Sequence, residues 1–188
     1  MTERRLDQVA FLRAVNVGGR NKVPMAGLRA LFQDLGYPGA RTYVQSGNVV
    51  FAAGSDGKDR AALADRIHAA IKAELGVSSP VILRSTSELT KAVKASPYAA
   101  DEEDLTKVHI GFLAAKPTAA AVKALDPDRS PGDELRVIGS EVHLHFGPSG
   151  AGASKLTAAW LDKALGTTVT ARNLRTCQAV LGLLRPSS

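Results

Sequence analysis

A chain of 188 residues with 45% apolar side chains is long enough for one large domain or two small ones, and apolar enough to bury a core. Its one cysteine, Cys177, excludes an internal disulfide and a multi-cysteine zinc site; no apolar run reaches the roughly 18 residues of a membrane span, and the charged start MTERRLDQ lacks the apolar stretch of a signal peptide. The net charge of +6 sits at the two ends, with residues 1–50 and 151–188 each at +4 and residues 51–150 at −2, so a cytoplasmic protein is expected, with no membrane partner and with anionic partners such as phosphates or nucleic acid.

The elements follow in order. QVAFLRAV, residues 8–15, predicts a mostly buried strand. Residues 24–35 predict a helix, with Pro24 in its first turn, a stripe of Leu28, Leu31, Phe32 and Leu35, and Gly36 as its end. RTYVQSGNVVFAAG predicts a tight hairpin turning at Ser46-Gly47. The alanine-rich residues 58–75 predict a helix stopped by Gly76, and SPVILRS predicts a strand. A short helix over 86–95 and the linker SPYAADEEDLT lead to the strand KVHIGFL and a helix over 117–125. ELRVIGSEVHLHF predicts a second hairpin at Gly139-Ser140, followed by a helix over 154–165, a short strand TTVTA and a closing helix over 172–184. The order β-α-β-β-α-β thus occurs twice. It predicts an α+β fold of two tandem ferredoxin-like units with an additional C-terminal helix, the units spanning residues 1–95 and 96–188. The halves share negligible sequence identity, so the repeat rests on element order alone.

Topology brings the unusual loops together. In a 4-1-3-2 sheet, the end of strand 1 lies beside the turn between strands 2 and 3. NVGGRNK, residues 16–22, should therefore neighbour QSGN, residues 45–48. In the second unit, HFGPSGAGASK should lead into a helix starting near Ser154, and TARN, residues 170–173, should follow the last strand on the same side. A glycine-rich loop entering a helix, with Lys155, Arg172 and Arg175 near, would suit an anion; a plain turn with Ser154 as N-cap explains it too. The phosphate-loop pattern of glycine directly before lysine is not matched, because Ser154 precedes Lys155.

FLRAVNVGGRNKVPMAGLRALF, RTYVQSGNVVF, SKLT and TARNLRTCQAVL together resemble the family of domains of unknown function 1697, over about residues 8–184. The resemblance implies a duplicated ferredoxin-like arrangement and carries no established reaction. Ala14 and Val15 stand where the family has glycine and isoleucine, and Leu174, Cys177 and Ala179 where it has tryptophan, valine and lysine. The matching positions that the resemblance carries over are Arg13, Asn16, Gly18, Gly19, Asn21, Lys22, Gln45, Ser46, Gly47, Asn48, Ser154, Lys155, Arg172 and Asn173.

The chemistry of these residues favours recognition. Amides such as Asn16, Asn21, Gln45 and Asn48 neither titrate nor attack; they either contact a ligand or brace a loop through backbone bonds. Gly18 and Gly19 allow positive φ or a close approach. Arg13, inside an apolar strand, needs a carboxylate or a ligand. His143 and His145 share one strand face without an evident third metal ligand, and Asp101–Asp104 reads as a solvated acidic run. No cofactor, metal or catalytic motif is recognisable. The expected function is binding of a phosphate-bearing ligand, nucleotide or nucleic acid, by a monomer or homodimer. The alternatives are an enzyme acting on a small anionic metabolite, with Lys22, Lys155 or Arg172 stabilising charge, and a homo-oligomeric interaction module.

Overall fold

The computed structural model describes residues 5–184. Among them are two four-stranded antiparallel sheets and six helices. The chain divides into two units, one holding residues through Thr90 together with those from Ala179 on, the other Lys91–Gln178.

The first sheet contains β1 (Gln8–Leu12), β2 (Arg41–Tyr43), β3 (Asn48–Phe51) and β4 (Val81–Ser85), in the order β2-β3-β1-β4. QVAFL is central because it is buried at every position, as a strand covered on both faces must be. Ala10 lies opposite Val49 on one side and Leu83 on the other. α1 (Met25–Asp34) and α2 (Arg60–Leu75) cover one face. α1 contributes Leu28, Leu31 and Phe32, and α2 contributes Leu63, Ile67 and Ile71, each set recurring at helical spacing. α2 is capped by Asp59, whose side chain accepts from the Ala62 N–H, and ends at Gly76 with a left-handed φ of 67°. α3 (Thr86–Lys94) follows β4, and the division between the units falls within it.

The second sheet contains β5 (Val108–Leu113), β6 (Glu134–Ile138), β7 (Glu141–His145) and β8 (Val169–Asn173), in the matching order β6-β7-β5-β8. α4 (Ala119–Lys123) and α5 (Ala158–Leu165) lie between strands in the chain, and α6 (Leu174–Leu184) closes the described residues. Leu113, Val142, Leu144, Phe146, Leu161 and Val169 form its core.

Three of the differences from the expected boundaries bear on the candidate residues. β1 ends at Leu12, not at residue 15, because Ala14 turns to φ 53° and breaks the extended run. The helix expected from Ser154 starts at Ala158, because Thr157 is its N-cap, accepting from the Trp160 N–H at 3.2 Å. TARN does not follow the last strand: Thr170 to Asn173 lie within β8, paired with β5.

Candidate functional site

The loop after β1 folds back on itself as a small hairpin. The Asn16 N–H donates to the Asn21 carbonyl at 3.0 Å, and the Arg20 N–H donates to the Val17 carbonyl at 3.1 Å. Gly18 and Gly19 take φ of 58° and 74°, the two left-handed centres of a type I′ turn, where side chains are strained. Asn16 anchors the hairpin base. Its Oδ1 accepts from the Val23 N–H at 2.8 Å, and its Nδ2 donates to the Val23 carbonyl at 2.9 Å and the Gln45 carbonyl at 2.7 Å.

The last of those bonds joins NVGGRNK to QSGN, so the two stretches are neighbours, as the strand order requires. The Leu12 N–H donates to the Gly47 carbonyl at 2.8 Å and ties QSGN to the end of β1 as well. Asn21 Nδ2 donates to the Ala14 carbonyl at 3.0 Å, and the fully buried Asn48 donates to the Tyr43 carbonyl at 3.1 Å and Ser46 Oγ at 2.8 Å. Asn16, Asn21 and Asn48 therefore brace the loops. Gln45 differs: it is exposed, and its side-chain amide has no partner among the described residues.

Backbone strain is concentrated here. Among the described residues, the non-glycine positions with positive φ are Ala14, Asn16, Asn21 and Val44, all in these two loops. Asn tolerates this region; alanine costs roughly 1–2 kcal/mol there and valine, being β-branched, is a stronger outlier. Ala14, at φ 53° and exposed, stands where the resembling family has glycine. We expect Ala14→Gly to stabilise the protein by about 1 kcal/mol in urea unfolding, the relief of strain exceeding the added freedom of the unfolded chain.

The surface these loops present is basic and partly apolar. Arg20 and Lys22 are exposed and pair with no carboxylate among the described residues. Beside them an open depression of about 430 Å³ is lined by Asn16, Gly19, Lys22, Val23, Pro24 and Gln45, none of them acidic. Val17 at 64% and Val44 at 53% exposure are the large hydrophobics that stand out in solvent among the described residues. Sequence reasoning did not select Arg20, Val17, Pro24 or Val44, although Arg20 and Val17 lie inside the quoted stretch. Arg13, expected inside the strand, sits one residue beyond β1 and is half-buried, its N–H donating to the Pro80 carbonyl at 3.0 Å and its carbonyl accepting from Ser79 Oγ at 2.7 Å.

The residues expected to act together in the second unit are engaged separately. Ser154 Oγ accepts from the Leu156 N–H at 2.9 Å, and the Lys155 N–H donates to Ser130 Oγ at 3.1 Å. Asp133 holds this turn: it accepts from Ser130 Oγ at 2.7 Å and the Gly147 N–H at 2.9 Å. Burial pushes its pKa up, but hydrogen bonds from Ser154, Ser130 and Gly147 outweigh that and hold it below the usual carboxylate value. Arg172 is buried within β8, donating to Thr170 Oγ1 at 3.0 Å and the Ala171 carbonyl at 2.8 Å, and burial lowers its pKa to about 10. Asn173 Oδ1 accepts from the Thr176 N–H at 2.8 Å at the start of α6. Lys155 is the exposed cation of this set.

The histidines and acids also resolve into local roles. His145 Nε2 meets Glu102 Oε2 at 2.9 Å, its Nδ1 lies 3.5 Å from Glu134 Oε1, and its ring stacks on Tyr98. Glu102 thus ties the acidic linker to β7, and the hydrogen bond from His145 leads the effects that hold its carboxyl below the ordinary value. His143 is fully buried, with both ring nitrogens unpartnered. Cys177 is buried, which pushes its thiol up to about 12 and makes it a packing residue.

Two sheets of matching strand order, the first carrying a braced, carboxylate-free loop pair, define an α+β protein. The chain belongs to the protein family of unknown function DUF1697, whose model matches residues 6–143. The structure of a conserved bacterial protein, SP0830 from Streptococcus pneumoniae, is similar in fold, with a TM-score of 0.68 and 20% identity over 96% of this chain and 99% of that one. No curated protein matches the chain. Among the described residues, no helix is long and apolar enough to cross a membrane.

Proposed function

We propose that the chain is a pair of ferredoxin-like units of which the first binds a phosphate-bearing ligand, a nucleotide or a nucleic acid, through the loops after β1 and between β2 and β3. The strand orders β2-β3-β1-β4 and β6-β7-β5-β8 support the first part of that reading. The observation that carries the second is the pair Arg20 and Lys22: exposed, without a carboxylate partner among the described residues, beside an open depression with no acid in its lining. In the same unit Arg60 is paired with Glu88 and Arg66 with Asp56 at 2.7 Å, while the exposed Lys58 and Lys72 also lack a carboxylate partner among the described residues. The acid-free depression beside Arg20 and Lys22 is what sets these two apart. Leaving two charges unpaired gains nothing for folding, and it favours an anion arriving from solution.

The bracing by Asn16 and Asn21 serves the same end, because a pre-ordered hairpin loses less freedom when it binds. Calorimetric titration with ATP, AMP and inorganic phosphate tests the reading. Arg20→Gln and Lys22→Gln should each weaken binding by about tenfold, the scale of a charge-assisted hydrogen bond, with little change in melting temperature since both side chains are exposed. A folded double variant with unchanged affinity would refute it.

A further inference from the structure

The same loops narrow the class of occupant. Three of the hairpin's backbone donors are engaged: the N–H groups of Asn16, Arg20 and Val23 all bond within it. Gly18 and Gly19 are both left-handed, at φ 58° and 74°, whereas a backbone cradle for phosphate alternates right- and left-handed residues. Phosphate contact therefore falls to the side chains of Arg20 and Lys22, two residues apart on the hairpin. Exposed cations of this kind are screened by salt and suit a polymer with repeating phosphates better than one enclosed phosphate group.

The rest of the surface suits a base. Gln45 offers a donor and an acceptor with no partner among the described residues, the complement of a base edge. Val44, next to it, is 53% exposed, and Val17, on the hairpin with Arg20, is 64% exposed. Val44 also holds φ 49°, which β-branched residues avoid, and strain of this kind gathers at functional sites. Flat apolar faces to cover these valines are available on unpaired bases, while a duplex hides them in its stack.

We propose, building on the anion-binding reading, that this loop pair binds single-stranded nucleic acid. Arg20 and Lys22 contact successive phosphates, Gln45 meets a base edge, and Val17 and Val44 pack against base faces. A polymer bound this way lies across the open depression instead of entering an enclosed pocket.

Fluorescence anisotropy with a labelled RNA of about 12 nucleotides, the matching DNA and its duplex tests the proposal. The full-length protein should bind the single strands about tenfold or more tighter than the duplex. With two phosphate contacts, log K should fall against log salt with a slope of about −1.4. Val17→Ser with Val44→Ser should reduce single-strand affinity by about tenfold or more, toward that for duplex, and leave phosphate binding intact. Equal affinity for duplex, or a valine variant with unchanged affinity, would overturn the proposal. Lys22-dependent binding of ATP or inorganic phosphate with no oligonucleotide binding would also overturn it and leave the anion site standing. Failure of every phosphate probe would remove both. Binding to phosphatidylserine-containing vesicles in preference to oligonucleotides would overturn it in favour of a membrane surface. Circular dichroism confirms that each variant is folded.

Discussion

Gly47→Ala should destabilise the protein by about 3 kcal/mol, the largest effect of any single methyl added to the candidate site. Gly47 has φ 69°, where an alanine is strained by itself. Its added Cβ would overlap Val15 Cγ2 and lie 2.8 Å from Leu12 Cβ. Both neighbours belong to the core of the first unit, Leu12 at 0% and Val15 at 2% exposure, so neither can move aside without opening a void. The Gly47 carbonyl also accepts from the Leu12 N–H, which fixes the distance between the two backbones.

Gly18→Ala provides the contrast. Its Cβ would meet nothing within 4 Å, so only the left-handed φ of 58° is penalised, about 1 kcal/mol. Urea unfolding of the two variants separates a glycine required by packing from one required by turn geometry. Equal losses would show that the approach of Gly47 to Leu12 and Val15 is not rigid.

The second large effect is acid sensitivity centred on His143. This side chain has 0% exposure on β7 and neither ring nitrogen has a partner. Burial lowers its pKa from 6.5 to about 4. An unfolded chain protonates this histidine as pH drops through 6.5, whereas the folded protein resists until about pH 4. Between those values the unfolded state binds more protons, so stability rises with pH across the window and falls on acidification. A shift of this size corresponds to about 3 kcal/mol lost by pH 4.

His109, whose pKa is also lowered by burial, adds in the same direction. Carboxylates with depressed pKa values, Glu88 and Asp133 among them, lose their contribution only below their ordinary values of 4.5 and 3.8, which separates the two sources. His143→Leu should flatten the dependence between pH 6.5 and 4.5 and leave neutral-pH stability the same or higher, since no hydrogen bond is lost. Chemical denaturation across that range checks it. An unchanged pH profile in the leucine variant would mean that the folded state protonates His143 without difficulty.

What the sequence determined by itself was element type and order. Residues 8–15 read as a buried strand and the alanine-rich residues 58–75 as a helix, and β1 and α2 lie within them, because both patterns are set by local geometry and the need to bury apolar side chains. Turn chemistry places Gly76 as a helix end and Gly139-Ser140 as a hairpin for the same local reason. Strand order, read from chirality and connection rules, is enough to bring residues 16–22 against residues 45–48.

Tertiary structure decided which residues of those motifs face inward and which stay exposed. Asn16 and Gln45 are both amides in quoted motifs, but the first has both ends of its amide group bonded and the second is unpartnered among the described residues; only the folded distances distinguish them. Arg172 looks like a loop cation in TARN and is buried in β8, because the strand extends through the motif to pair with β5. Ser154 looks like a helix cap, but Thr157 takes that place and residues 154 and 155 are held by Ser130 instead. The exposure of Val17 and Val44 follows from left-handed backbone and a projecting hairpin, which composition does not encode. Local pattern specifies how each segment folds; the partner of each polar group is set by segments distant in the chain, and hydrogen bonding and burial depend on those partners.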